Sequence, residues 1–247
     1  MTEHLDYEAI RADTVRQVAK LMAAAAITAP KSGGQLFIAG KPNFVETVIV
    51  DDTETKHQLS EWIRARGKER RQAIWFRDAD VAEAVDAILF VGLSGWYPPN
   101  YDCGACGYAT CAEFLHETAP LRDDSHELEF VGPTCNLRDI DLGIAIGSAA
   151  KTAALHSIDC RCQTRVAVAA RKLGIIHADI SIALSLSMTA KAVGFDRTIS
   201  AIDYDSLVYP PTGTLPIAID ESASQDGTRN RQQPRYPISP RPGVDAK

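Results

Sequence analysis

The sequence predicts one domain of mixed helices and strands, and three stretches carry that expectation. Residues 5–26 bring Ile10, Val15, Val18, Ala19 and Met22 close to one face of a helix, and the run Ala23–Ala26 favours helix strongly. Residues 85–94, VDAILFVGLS, form a nearly unbroken apolar run whose length fits a central buried strand better than a helix. ADISIALSLS then alternates Ile180, Ile182, Leu184 and Leu186, as a half-buried strand does.

The remaining elements follow in order. Pro30 stops the first helix. FVETVIVDD sets Phe44, Glu46, Val48 and Val50 against Val45, Thr47 and Ile49, a strand written for a sheet covered on both sides. Asp52 or Thr53 can cap a helix running to about Arg66, and the basic run Arg64–Gln72 reads as a solvated helix end or loop. From Asp139, DIDLGIAIGSAAKTAALHSID is expected to be helical, with acidic residues in its first turn complementing the partial positive charge there. Gly143 and Gly147, four apart, suit tight packing against another helix, or a groove for a flat cofactor. A further helix carries Val166, Ala169, Ala170 and Leu173 and stops at Gly174. After residue 200, Pro, Ser, Gln and Arg replace apolar periodicity. A domain over residues 1–200 with an extended or disordered tail over 201–247 is expected.

Composition narrows the function. Of 247 residues 45% are hydrophobic and 23% charged, which suits a soluble globular chain. A net charge of -6 argues against a nucleic-acid or anionic-membrane surface, which needs clustered Lys and Arg. LMAAAAITAP is about half the length a bilayer requires, and the acidic N-terminus is unlike a secretion signal, so a cytoplasmic protein is expected. There thiols stay reduced, and six cysteines point to metal or redox chemistry rather than disulfides.

Four of them make a pattern: Cys103-x2-Cys106-x4-Cys111-x23-Cys135. An iron-sulfur cluster needs several thiolates converging on a small cube. Gly104 and Gly107 permit the sharp turns between the first ligands, and Cys111 can come from the first turn of the helix CAEFLHETA. Cys135 follows the turn GPT, just before the Asp139 helix. The set suits one 4Fe-4S cluster within an inserted segment, residues 97–137. Zinc is the competing reading, although structural zinc sites usually pair two Cys-x2-Cys or His-containing knuckles. Cys160 and Cys162, placed near a helix start, would face different directions, which argues against shared ligation. They read as unremarkable or as accessory thiols. His156 and His177 read as packed or surface residues.

CGACGYATCAEF resembles the small iron-sulfur domain of corrinoid iron-sulfur proteins and of the B subunit of Rnf-type electron-transport complexes, whose fourth cysteine follows after a shorter gap. Over residues 8–198, AAAAITAPKSGG, FRDADVAEAVDAILFVGL, CGACGYATCAEF, GPTCNLRDIDLGIAIGSAAKTAALHSID, VAVAARKLG and GFDR resemble, in that order, a family of ferredoxin domain-containing proteins. That resemblance implies Cys103, Cys106, Cys111 and Cys135 as metal ligands and no known reaction. The order of the Ala-rich helix, strands and DLGIAIGSAAKTAALHSID helix is also similar to flavin-dependent nitroreductases. This implies an α+β fold with a mixed sheet flanked by helices, the Cys-rich segment inserted, and a homodimer. It also implies FMN, with Lys31 and Arg197 as phosphate contacts, although the chain shows no RSxR element of the kind that holds flavin phosphate there.

Three functions remain open on these residues. They are a redox protein working with a redox partner protein or a small-molecule substrate, a binding or assembly module with a structural metal, and a non-redox enzyme with an open iron site. Four cysteine ligands disfavour the last.

Overall fold

The computed structural model describes residues 6–31, 43–124, 128–190, 193 and 194. Contacts divide the chain into Met1–Val208 and Tyr209–Lys247. Every element described lies in the first unit, and the expected tail over 201–247 lies outside the described residues.

Helix α1 (Tyr7–Thr28) leads to strand β1 (Val45–Val50), helices α2 (Thr53–Arg70) and α3 (Ala73–Ala84), and strand β2 (Ala87–Leu93). Helices α4 (Cys111–Asp124) and α5 (Asn136–Leu155), strand β3 (Asp159–Gln163), helix α6 (Thr164–Lys172) and strand β4 (Ile180–Ser187) complete the order. The strands form one sheet in the order β1-β2-β4-β3.

The fold class is α+β, as expected. All three pairings are antiparallel, with Val48 opposite Phe90, Leu89 opposite Leu184 and Cys160 opposite Leu186. The sheet expected to be mixed is therefore antiparallel throughout its described strands. Between β1 and β2 lies a pair of helices rather than one, and an out-and-back pair returns the chain to the end from which β2 runs in reverse.

Alternation along the strands sorts side chains into two cores. Ala87, Leu89, Val91 and Leu93 of β2 pack with Val15, Ala19 and Met22 of α1 and Ala145 and Ala149 of α5. Ile88 and Phe90 point the other way, to Leu59, Ile63, Trp75 and the buried residues of α6. The sheet thus lies between α1 and α5 on one face and α2, α3 and α6 on the other. All seven residues of β2 are buried, as its unbroken apolar run requires. Strand β4, expected to be half-buried, is buried at every position but Ile180 and Ile182, because it has a neighbour on each edge and helices on both faces. Each fully buried Leu, Ile or Phe contributes about 1.5–3 kcal/mol relative to exposure.

Two glycines allow close approach. A Cβ on Gly92 would meet the Ala178 side chain and, at 2.8 Å, the Ile180 carbonyl oxygen, so the end of β2 sits directly against the entry to β4. A Cβ on Gly67 would lie 2.8 Å from the Trp75 Cβ, which keeps α2 and α3 close. Gly143 and Gly147 differ: within this chain nothing lies within 4 Å of a Cβ at either, so the tight packing expected of them is not made here.

Candidate metal centre

Strand β2 delivers the chain to the cysteine loop, and a polar network pins that loop at its exit. Ser94 donates its amide to the Phe44 carbonyl at 2.9 Å. The Trp96 indole donates to Asp179 Oδ2 at 2.9 Å, and the same oxygen accepts from Arg122 Nη2 at 2.6 Å. The Arg122 guanidinium lies 4.5 Å from the centre of the Trp96 ring and also donates to the Pro133 carbonyl at 2.9 Å. Asp179, at the entry to β4, thereby holds together Trp96, helix α4 and the segment ahead of Cys135. Gly132 and Pro133, joined by a cis peptide bond, form part of that segment.

The loop turns where the residue types allow it. Asn100 and Asp102 adopt φ of 60° and 47°, and Gly104 and Gly107 adopt φ of 70° and 91°. These are left-handed conformations that glycine takes without strain and that Asn and Asp tolerate best among the others. The Gly107 amide donates to the Gly104 carbonyl at 3.0 Å, closing the turn between Cys103 and Cys106. Asp102 Oδ1 accepts the Cys111 amide at 2.7 Å, so the loop closes on the helix that follows it.

Both helices that carry a distal cysteine begin at the pocket. Thr110 caps α4: its hydroxyl accepts the Glu113 amide at 3.1 Å, while the Glu113 carboxylate accepts the Ala109 amide at 3.0 Å, a variant of the reciprocal capping box. Cys135 is the N-cap of α5, its sulfur makes no capping bond, and its side chain is buried. Asn136 Nδ2 donates to the Ala105 carbonyl at 2.5 Å, tying the start of α5 to the Cys103–Cys106 turn. Arg138, buried, donates to the Tyr97 carbonyl at 2.6 Å and pairs with buried Asp141 at 2.9 Å. Burial pushes the Asp139 carboxyl above its ordinary range, although the Thr134 hydroxyl donates to it at 2.7 Å and pulls the other way.

Cys103, Cys106, Cys111 and Cys135 line one pocket, together with Tyr108, Phe114 and Leu137. None is in a disulfide; Cys103 is exposed, Cys106 and Cys111 are half-buried and Cys135 is buried. Among the described residues no three His, Cys, Asp or Glu side chains converge on a point that could hold a single metal ion. Four thiols around one pocket are the donor set of an iron-sulfur cluster, and a tetrahedral zinc site could draw on the same set. The N-termini of α4 and α5 add partial positive charge where thiolates and an anionic cluster would sit.

Lys31 is exposed beyond the end of α1, and Arg197 lies outside the described residues. Cys160 and Cys162 do lie just ahead of a helix start, that of α6 at Thr164, but they stand on β3; on a strand, residues two apart share a face, so these thiols point the same way rather than in the different directions expected.

The comparisons agree with the geometry. A profile of iron-sulfur cluster segments matches residues 99–117, which include Cys103, Cys106 and Cys111. A second profile, for uncharacterized proteins containing a ferredoxin domain (DUF2148), matches residues 131–197, which include Cys135. A protein of Archaeoglobus fulgidus, itself described as uncharacterized, is 37% identical over 186 residues, covering 74% of this chain and 91% of that one. The chain belongs to this ferredoxin-domain family. It is an iron-sulfur protein by both family matches. Solved structures with partial likeness include nitroreductase A from Vibrio parahaemolyticus, 12% identical with a TM-score of 0.39 over 92% of this chain and 76% of that one. A BluB-like flavoprotein from Clostridium difficile is 13% identical with a TM-score of 0.42, over 84% of this chain and 90% of that one. No helix among the described residues of this ferredoxin-domain protein is long and apolar enough to cross a membrane.

Proposed function

We propose that Cys103, Cys106, Cys111 and Cys135 hold one 4Fe-4S cluster and that the protein transfers electrons, as a carrier or as a redox enzyme subunit. The observation that carries this reading is that one loop and two helix starts bring these four thiols around one pocket. Such a cluster supplies one-electron chemistry at a potential set by its burial and by hydrogen bonds to its sulfurs. The chain's own contribution is to hold the donors apart at fixed corners. Asp102 locks Cys111 to the loop, Asn136 locks Cys135 to it, and Asp179 anchors the whole to the sheet.

The partner in this reading is a redox partner protein or a small-molecule substrate, and exposure of Cys103 supports approach from that side. FMN as a second centre, with Lys31 and Arg197 on its phosphate, rests on the sequence order shared with nitroreductases alone, and a flavin-release assay decides it. A homodimer is supported by the outer face of α5, where Ile140, Ile144 and Leu155 are exposed and Gly143 and Gly147 leave open space. The cytoplasm is the proposed compartment, because four free thiols need reducing surroundings.

Reduction and reoxidation of anaerobically prepared protein, followed by visible absorption and electron paramagnetic resonance, tests the proposal. Reversible bleaching by dithionite with a one-electron signal is expected. A cluster inert to both reductant and oxidant, with the fold lost on chelation, would instead make the metal structural and the protein a binding or assembly module.

A further inference from the structure

Neither Cys160 nor Cys162 lines the cluster pocket, and the electron-transfer reading gives them no part. They stand on β3, which occupies one end of the sheet and is paired only with β4 among the described strands. Cys160 lies opposite Leu186 and Cys162 opposite Leu184, and cross-strand partners share a face. Both leucines belong to the core beneath α1 and α5, and Cys160 packs against that same core. Cys162, two residues on, is exposed. The two thiols neighbour each other on one face of the strand, close enough to perturb each other's titration.

That proximity makes the pair unequal. The interaction with Cys160, outweighing the cost of burial, brings the Cys162 thiol down to about 7. The same interaction, followed by burial, pushes the Cys160 thiol well above its ordinary range. Cys162 is therefore the more readily ionised of the two and lies on the accessible side, with the Cys160 thiol beside it. A reactive thiolate at the surface beside a second cysteine is the arrangement that thiol–disulfide exchange requires.

We propose that Cys160 and Cys162 form a second redox centre, an edge-strand dithiol that reduces low-molecular-weight disulfides. The Cys162 thiolate attacks one sulfur of the disulfide, forming a mixed disulfide and releasing the other half as a thiolate. Cys160 then gives up its proton to that thiolate or to solvent and attacks the Cys162 sulfur. This forms the Cys160–Cys162 disulfide and expels the second half as a thiolate. The substrate disulfide gains two electrons and the protein dithiol loses two. A strand rise of about 3.4 Å per residue puts the two α-carbons about 6.8 Å apart, at the upper end of the range a disulfide spans, and leaves the parallel Cβ atoms about as far apart, beyond the roughly 3.5–4.5 Å that a disulfide holds. Closure therefore requires β3 to leave its extended form between the two cysteines, and a disulfide strained in this way is readily reduced again.

The test uses the full chain, prepared anaerobically, with oxidised glutathione as the probe. After reaction, remaining thiols are alkylated in denaturant and the protein is digested with trypsin, which cuts after Arg161 and separates the two cysteines. Linked peptides bearing Cys160 and Cys162 are expected from the native sequence, and reduction should release them. Cys160→Ser should accumulate a glutathione adduct on Cys162, and Cys162→Ser should react about tenfold more slowly. Alkylation of both thiols after prolonged exposure to the probe, with no linked peptides, would overturn the proposal, as would a Cys162→Ser variant that reacts as fast as the native chain. Neither result depends on the cluster, so this proposal and the electron-transfer reading fail separately.

Discussion

Asn136 donates its side-chain amide to the carbonyl of Ala105 at 2.5 Å, and this bond joins the turn bearing Cys103 and Cys106 to the helix capped by Cys135. The pattern separates Cys135 from its nearest partner cysteine by 23 residues, so tertiary contacts of this kind must close the ligand set. Asn136→Ala removes a net contribution of about 1 kcal/mol. Loss of iron to a chelator is expected to be about fivefold faster in that variant, followed by the decay of visible absorption.

Asp179 accepts from both Trp96 and Arg122, on a single carboxylate oxygen. Asp179→Ala leaves an indole N–H and a guanidinium group short of a partner at a half-buried position. The expected cost is about 2–3 kcal/mol in urea unfolding, since a charged hydrogen bond is lost and a donor is left unmatched. Asp179→Asn, which keeps an acceptor for Trp96, should lose less.

Much of the fold was legible where burial writes itself into the sequence. The continuous apolar run of β2 and the alanine-rich face of α1 need no partner to be recognised. Helix α3 was not legible, because the break before it falls at Arg71, held at φ 53° with its amide donating to Lys68. A left-handed position occupied by arginine carries no Gly or Pro signal. Strand β3 escaped for another reason: DCRCQ has no apolar alternation and lies at an edge, so its pairing with β4 is the whole signal. At the metal centre the cysteines and glycines were legible from type and spacing. Asp102, Arg122, Asn136 and Asp179 were not, because their roles are bonds across long stretches of chain.

Gly92 abuts Ala178 and the Ile180 carbonyl, where both neighbours are tightly held. Gly92→Ala is expected to destabilise the protein by about 1–3 kcal/mol through overpacking. Thermal unfolding followed by circular dichroism measures it.

Asp52 caps α2, accepting the Thr55 amide at 2.7 Å, and this bond holds its carboxyl below the ordinary aspartate range. A depressed folded value means the stabilisation is complete above the unfolded aspartate value of about 3.9 and is lost as pH falls through the folded one. Asp52→Ala is expected to cost about 1 kcal/mol at neutral pH. The difference between variant and native chain should shrink in acid, read from urea midpoints at pH 7 and in strongly acidic buffer.

Iron and acid-labile sulfide, quantified on the anaerobically purified full chain and on its four single Cys→Ser variants at positions 103, 106, 111 and 135, decide whether these cysteines share one cluster. About four of each are expected per native chain, with cluster content or stability falling in every one of the four variants. Iron-free protein after anaerobic reconstitution, or native iron content in any one variant with an unaltered spectrum, would contradict this.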